Sequence, residues 1–318
     1  MRSNRSSGKP KPEPLPQAVH EWSFEAIGTG WWIGLYESVG TDRLAAVQQA
    51  VAQRIEQFDL VYSRFRDDSL VSSIAREAGT FIFPADSEAL FSLYRRLYDA
   101  TNGAVTPLIG QALVDAGYDA SYSLRPGKLK PTPAWDDVMQ FKGRTLTTTQ
   151  PILLAFGAAG KGYLVDLVAA ELEAAGLKAY CVDASGDMVC SGLKTALKIG
   201  LEHPEDTSQV IGVADLQKGA LCGSAGNRRR WAGYHHIIDP HALASPENIA
   251  AVWVCAETAL IADGLTTALY FAEPETLARQ FRFAYVIMYA DGRVAASADF
   301  PAQLFTEGQN THESPELY

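Results

Sequence analysis

Residues 161–215, KGYLVDLVAAELEAAGLKAYCVDASGDMVCSGLKTALKIGLEHPEDTSQVIGVAD, hold one helix followed closely by four short strands. Leu164, Val168 and Leu172 recur at four-residue intervals, the spacing of a single helix face, and Gly176 stops the run. KAYCVD, MVCSG, ALKIGLE and QVIGVAD then succeed one another as strands. Strands gathered in this way, beside several helices and without a regular βαβ alternation, predict an α+β fold rather than a doubly wound sheet.

Upstream of that block, FEAIGTGWWIGLYE (24–37) reads as a strand pair or a bent strand relieved at Gly28 and Gly30. TDRLAAVQQAVAQRIEQF (41–58) is a helix whose first amides Thr41 or Asp42 would cap. A further helix, DSEALFSLYRRLYDAT (86–101), stops at Asn102 and Gly103, and NGAVTPLIG leads from it into a short helix. Downstream come a Gly-rich basic loop GSAGNRRRWAG (223–233), an extended YHHIIDP (234–240), the strand AAVWVCA, the helix ETALIADGLTTALYFA (257–272) and a last strand AYVIMY. Residues 1–20 and 301–318 lack hydrophobic periodicity and read as mobile tails, leaving a single domain over 21–300.

The 318 residues are 47% hydrophobic and 20% charged, the balance of a globular chain able to bury a full core. A net charge of −10 opposes nonspecific attraction to nucleic acid or anionic lipid, where Lys and Arg must neutralise phosphates, so a small molecule or a protein is the expected partner. No apolar stretch is long enough to predict a membrane span. Cys181, Cys190, Cys222 and Cys255 lie in apolar or strand-like runs with no CxxC spacing and read as buried free thiols. The opening MRSNRSSGKPKPEPLPQ is followed by no secretory apolar run, and no early cysteine is present to take a lipid, so a cytoplasmic location is expected.

Three stretches carry chemistry. In FGAAGKGYLVD (156–166) small residues crowd the start of the helix and Lys161 sits in its first turn, an arrangement that favours an anion such as a diphosphate. The spacing is not that of a P-loop, because Gly157 stands only four residues before Lys161. A helix start chosen for close packing is the plain alternative. In ADGLTTALY, Asp263 and Thr267 lie one turn apart and offer hard oxygen ligands suited to Mg²⁺, or they are an ordinary helix surface. In YHHIIDP a histidine stands three residues from Asp239, which would tune it as a base or phosphate contact unless Asp239 merely caps a turn. DASGDM (183–188) reads as a hairpin turn near the site, Phe65 as core or as a ring against a ligand, and Arg228, Arg229 and Arg230 as a solvated run unless they face an acidic partner or phosphates.

Taken in order, IGT (27–29), YSRFRDDSLVSSI (62–74), NGAVTP (102–107), FGAAGKGYLVD (156–166), ASGDM (184–188), SAGNRRRW (224–231), HHIIDP (235–240) and ADGLTTALY (262–270) resemble the pattern of the ApbE family, the FAD:protein FMN transferases. The resemblance implies an ApbE-like, T-fold-related α+β domain. It also implies a metal-dependent transfer of FMN from FAD, the substrate, to a Thr or Ser hydroxyl of a target flavoprotein, with release of AMP. Carried over by position, Ala158, Asp263 and Thr267 would hold Mg²⁺ or Mn²⁺. Ile27, Phe65, Ala104, Val105, Thr106, Lys161, His236 and Ile237 would contact FAD, and His236 or Asp263 would take the proton of the attacking hydroxyl.

Departures from the family pattern are local. Ala155 stands where the family commonly has an Asp, Phe65 where it has Tyr, Ile27 where it often has Met, and Ser185 replaces the first Gly of a Gly-Gly-Asp. They leave two other readings open, an FAD diphosphatase producing FMN and AMP, and a noncatalytic flavin-binding protein.

Overall fold

The computed structural model describes residues 16–226 and 230–305. Most of the two expected tails, together with Arg228 and Arg229 of the basic run, therefore lies outside the described residues. The strands are β1 (His20–Ala26), β2 (Thr29–Leu35), β3 (Thr80–Ile82), β4 (Met139–Lys142), β5 (Thr145–Thr148), β6 (Tyr180–Asp183), β7 (Asp187–Ser191), β8 (Leu197–Glu202), β9 (Val210–Leu216), β10 (Gly219–Ala225), β11 (Arg230–Trp231), β12 (Tyr234–His235), β13 (Ile249–Ala256), β14 (Ala284–Tyr289), β15 (Val294–Ala296) and β16 (Ala302–Leu304). The helices are α1 (Thr41–Tyr62), α2 (Leu70–Arg76), α3 (Glu88–Ala100), α4 (Gly110–Asp115), α5 (Trp135–Val138), α6 (Gly160–Ala174), α7 (Ala259–Ala268) and α8 (Pro274–Leu277).

Eight strands make one antiparallel sheet in the order β1-β2-β6-β7-β10-β13-β14-β15, and a smaller sheet runs β16-β9-β8. The alternation of side chains along a strand explains how the large sheet serves two layers. Val252 and Val254 of β13 and Ala220 and Cys222 of β10 point into the main core under the helices. Their neighbours Ala251, Trp253 and Leu221 point the other way, into a second core with Leu197, Leu201 and Ala214 of the smaller sheet. Helices, large sheet and small sheet thus form an α+β assembly, as the strand grouping predicts.

Three local expectations are corrected. Helix α1 starts after Gly40, whose backbone is extended, and neither Thr41 nor Asp42 caps it, since both fall within its first turn. Gly223–Ala225, read as loop, belong to β10, paired to β7 on one side and β13 on the other. The small residues that suggest a loop are what a central strand needs where Trp253 crosses it: a Cβ on Gly223 would lie 3.1 Å from that indole. The sheet also runs past the boundary expected at 300, because Ala302–Leu304 pair with β9 beside the buried Phe300.

Candidate active site

Helices α6 and α7 meet at Gly162. A Cβ there would stand 2.1 Å from the Ala259 carbonyl oxygen and 2.6 Å from the Asp263 Cβ, so only glycine permits the crossing. The Gly162 amide donates to Asp263 Oδ2 at 2.8 Å. Asp166, one turn further along α6, accepts from the amides of Ala259 (2.9 Å) and Leu260 (2.8 Å), closing the N-terminus of α7, and the Thr258 hydroxyl accepts from Ile261. Asp263 is 5% exposed and faces α6 rather than solvent, which removes the helix-surface reading. Thr267 is half-buried on the same helix.

Lys161 does not stand free at the helix start. Its Nζ lies 3.1 Å from Asp187 Oδ2 and donates to the Ala184 carbonyl at 2.9 Å. Asp187 is 1% exposed, and its Oδ1 accepts weakly from Gly223 at 3.4 Å. Two buried carboxylates and one ammonium thus share the centre. Burial, then the Asp187 charge, pushes the Asp263 carboxyl well above its ordinary range. Burial pulls the Lys161 ammonium down, but Asp187 and Asp263 outweigh it and hold its pKa above the usual value. Asp187 was legible only as part of a turn, because nothing local links it to a lysine 26 positions earlier (187 − 161).

Ala158 is fixed from below: its amide donates to the hydroxyl of the fully buried Tyr94 of α3 at 3.2 Å. In the sequence Tyr94 is one more apolar-stripe residue among Leu90, Phe91, Leu93 and Leu97, with no signal of this contact. Ala104, Val105 and Thr106 are buried. Thr106 caps the turn that follows, accepting from Leu108, and the Thr101 hydroxyl accepts from Val105. His241 ties this loop to the HHIIDP segment through the Asn102 carbonyl oxygen, at 3.0 Å.

Within that segment His235 is the more deeply buried histidine. Its ring meets the Pro246 carbonyl at 2.9 Å, and burial lowers its pKa. His236 is half-buried beside it, with ring centroids 6.1 Å apart, and Ile237 joins the main core. Asp239 Oδ1 accepts from the amides of His241 and Ala242, so this carboxylate caps the turn that follows it.

The remaining expected contacts sit around the β1–β2 hairpin. Ile27 (φ 46°) and Gly28 (φ 76°) form its two-residue turn, an uncommon backbone for a β-branched residue. Ser185, where the family has Gly, adopts φ 53°, and its hydroxyl offsets that strain by donating to the Gly30 carbonyl at 2.9 Å. A hollow of about 440 Å³ lined by Gly30, Trp32, Asp183 and Ser185 opens beside this turn. Phe65 is 37% exposed. Ala155 is buried in a small cluster with Tyr118, Trp231 and Ile238.

A model of the ApbE family matches residues 27–286. The FAD:protein FMN transferase of Treponema pallidum is 27% identical over 309 residues, covering 86% of this chain and 85% of that protein. The enzyme of the same name from Escherichia coli K12 is 22% identical over 83% of this chain and 82% of its own length. Among solved structures, the flavin transferase ApbE from Vibrio cholerae superposes with a TM-score of 0.73 at 21% identity, over 88% of this chain and 97% of that one. The ApbE protein of Thermotoga maritima gives 0.75 over the same shares, also at 21% identity. These likenesses establish the fold, and a family match that runs through the Ile27 turn, Lys161, Asp187 and the Asp263 helix places the chain in the ApbE family.

Proposed function

We propose that this chain is an FAD:protein FMN transferase that moves FMN from FAD to a Thr or Ser hydroxyl of a target flavoprotein and releases AMP. The buried Asp263–Asp187–Lys161 centre at the α6–α7 crossing carries the reading: two carboxyl groups share one ammonium, and a divalent cation would supply the positive charge that lets Asp263 ionise there. The Ala158 carbonyl, the Asp263 carboxylate and the Thr267 hydroxyl are the oxygen donors that would hold Mg²⁺ or Mn²⁺. Bound there, the cation would neutralise charge building on the FAD diphosphate.

The chain itself supplies rigidity. Asp166 and Gly162 set α7 against α6, Tyr94 holds Ala158, and the Asp187 carboxylate orients Lys161 toward the diphosphate. Ile27, Phe65, the NGAVTP loop residues Ala104, Val105 and Thr106, and His236 with Ile237 surround the rest of FAD. In the reaction the target hydroxyl oxygen bonds to the FMN phosphorus. The bond from that phosphorus to the bridging oxygen breaks, and AMP leaves with this oxygen. The hydroxyl proton passes to His236 or Asp263. Among the described residues no helix is long and apolar enough to cross a membrane, and four free cysteines suit a reducing cytoplasm.

Incubation with FAD, Mg²⁺ and a target peptide tests the reading by peptide mass and AMP. Flavin on the peptide supports transfer. AMP without it makes the protein an FAD diphosphatase, and neither product leaves a flavin binder.

A further inference from the structure

Of the large hydrophobic side chains exposed among the described residues, Phe65 and Tyr122 lie against each other. The Tyr122 ring, 53% exposed, stacks on Phe65 with centroids 5.4 Å apart and planes within 4°. Tyr118 stands edge-on to both, and the Arg64 guanidinium lies 4.1 Å from the Phe65 centroid. Tyr122 is held there at a cost. Its φ is 52°, as is that of Leu124, a backbone that residues with a Cβ rarely adopt. Asp119 secures the turn by accepting from the amides and hydroxyls of both Ser121 and Ser123. Strain maintained by dedicated polar contacts, for the sake of an exposed ring, points to a ligand.

A chain of contacts connects this stack to the catalytic centre. The Tyr122 hydroxyl reaches the hairpin turn, 4.0 Å from where a Gly28 Cβ would lie. Gly30, two residues on, is bonded to Ser185, and its neighbour Ala184 accepts from Lys161. We infer that Tyr122 is a specificity-determining residue that forms the outer wall of the subsite for the planar flavin ring. The exposed face of the Tyr122 ring, backed by Phe65, is the surface against which the flavin packs, while the diphosphate lies toward Lys161. This rests on the FAD reading above.

The test uses the full chain and two probes, FAD and ADP, the second sharing the adenosine and diphosphate but lacking the ring. Tyr122→Asn removes the ring and keeps a residue that tolerates the left-handed backbone. It should raise the Kd for FAD about tenfold and leave the Kd for ADP unchanged, and Tyr122→Phe should restore FAD affinity, because stacking needs the ring and not the hydroxyl. Unchanged or tighter FAD binding by Tyr122→Asn overturns the inference. Equal weakening of FAD and ADP also overturns it, since the residue then only supports its loop. Failure of the unaltered protein to bind FAD would instead defeat the transferase reading beneath it.

Discussion

A lysine in the first turn of a helix looks like a free ligand for an anion, yet Lys161 is also the counter-ion of Asp187. As a contact to an anion alone, Lys161 could be replaced without harm to the fold. The ion pair changes that expectation. Lys161→Met should lower stability by about 2 kcal/mol, less than the figure for a fully buried pair because the lysine side chain is 28% exposed. Adding Asp187→Asn should recover most of the loss but not FAD affinity, a coupling that a double-mutant cycle of melts and titrations measures. The metal proposal belongs to this scale as well. Asp263→Asn keeps an oxygen for the Gly162 amide but removes the charge, so activity should fall by about two orders of magnitude or more while FAD still binds. Thr267→Val should act on the same ion, making the double variant little worse than Asp263→Asn alone. Additive losses, or turnover indifferent to EDTA, would remove the proposed ion.

Helix α7 carries both Asp263 and Thr267, and its start is held by a carboxylate from α6. Burial raises Asp166 from its ordinary 3.8 to about 6, against the pull of the two amides it accepts from. The folded chain therefore binds that proton more tightly than the unfolded one. Its contribution to stability is fully present below pH about 4 and is lost as pH rises through about 6. Asp166→Asn has no proton to lose, so its melting temperature should gain on the unaltered protein across that window. A constant difference from pH 4 to 7 would show that the two amides keep the carboxylate ionised throughout.

The small sheet is the part of the molecule least expected from the chain's end. Ala302–Leu304 pair with β9, the Phe305 amide donates to Ile211 at 2.8 Å, and Leu304 packs on the second core. A chain ending at Phe300 should therefore melt about 2–4 °C below one ending at Phe305, a difference that isolates this strand. Equal melting would mean that β16 adds nothing to the layer.

Sequence alone determined what depends on near neighbours. Helix α6 with its stop, the extended chain broken near Gly28 and Gly30, and the one-turn spacing of Asp263 and Thr267 all follow from periodicity and turn chemistry acting over a few residues. The order of the motifs was enough to indicate the family. Tertiary structure decided which of those groups meet. Gly162 and Asp263 bond across 101 residues, and Tyr94 reaches Ala158 across 64. Asp187 finds Lys161 only because β7 lies under α6, and Asp239 caps its own loop. Periodicity tells which face of an element is buried but carries no information about the partner it is buried against. That choice rests on strand order and helix crossing, settled when the whole core packs.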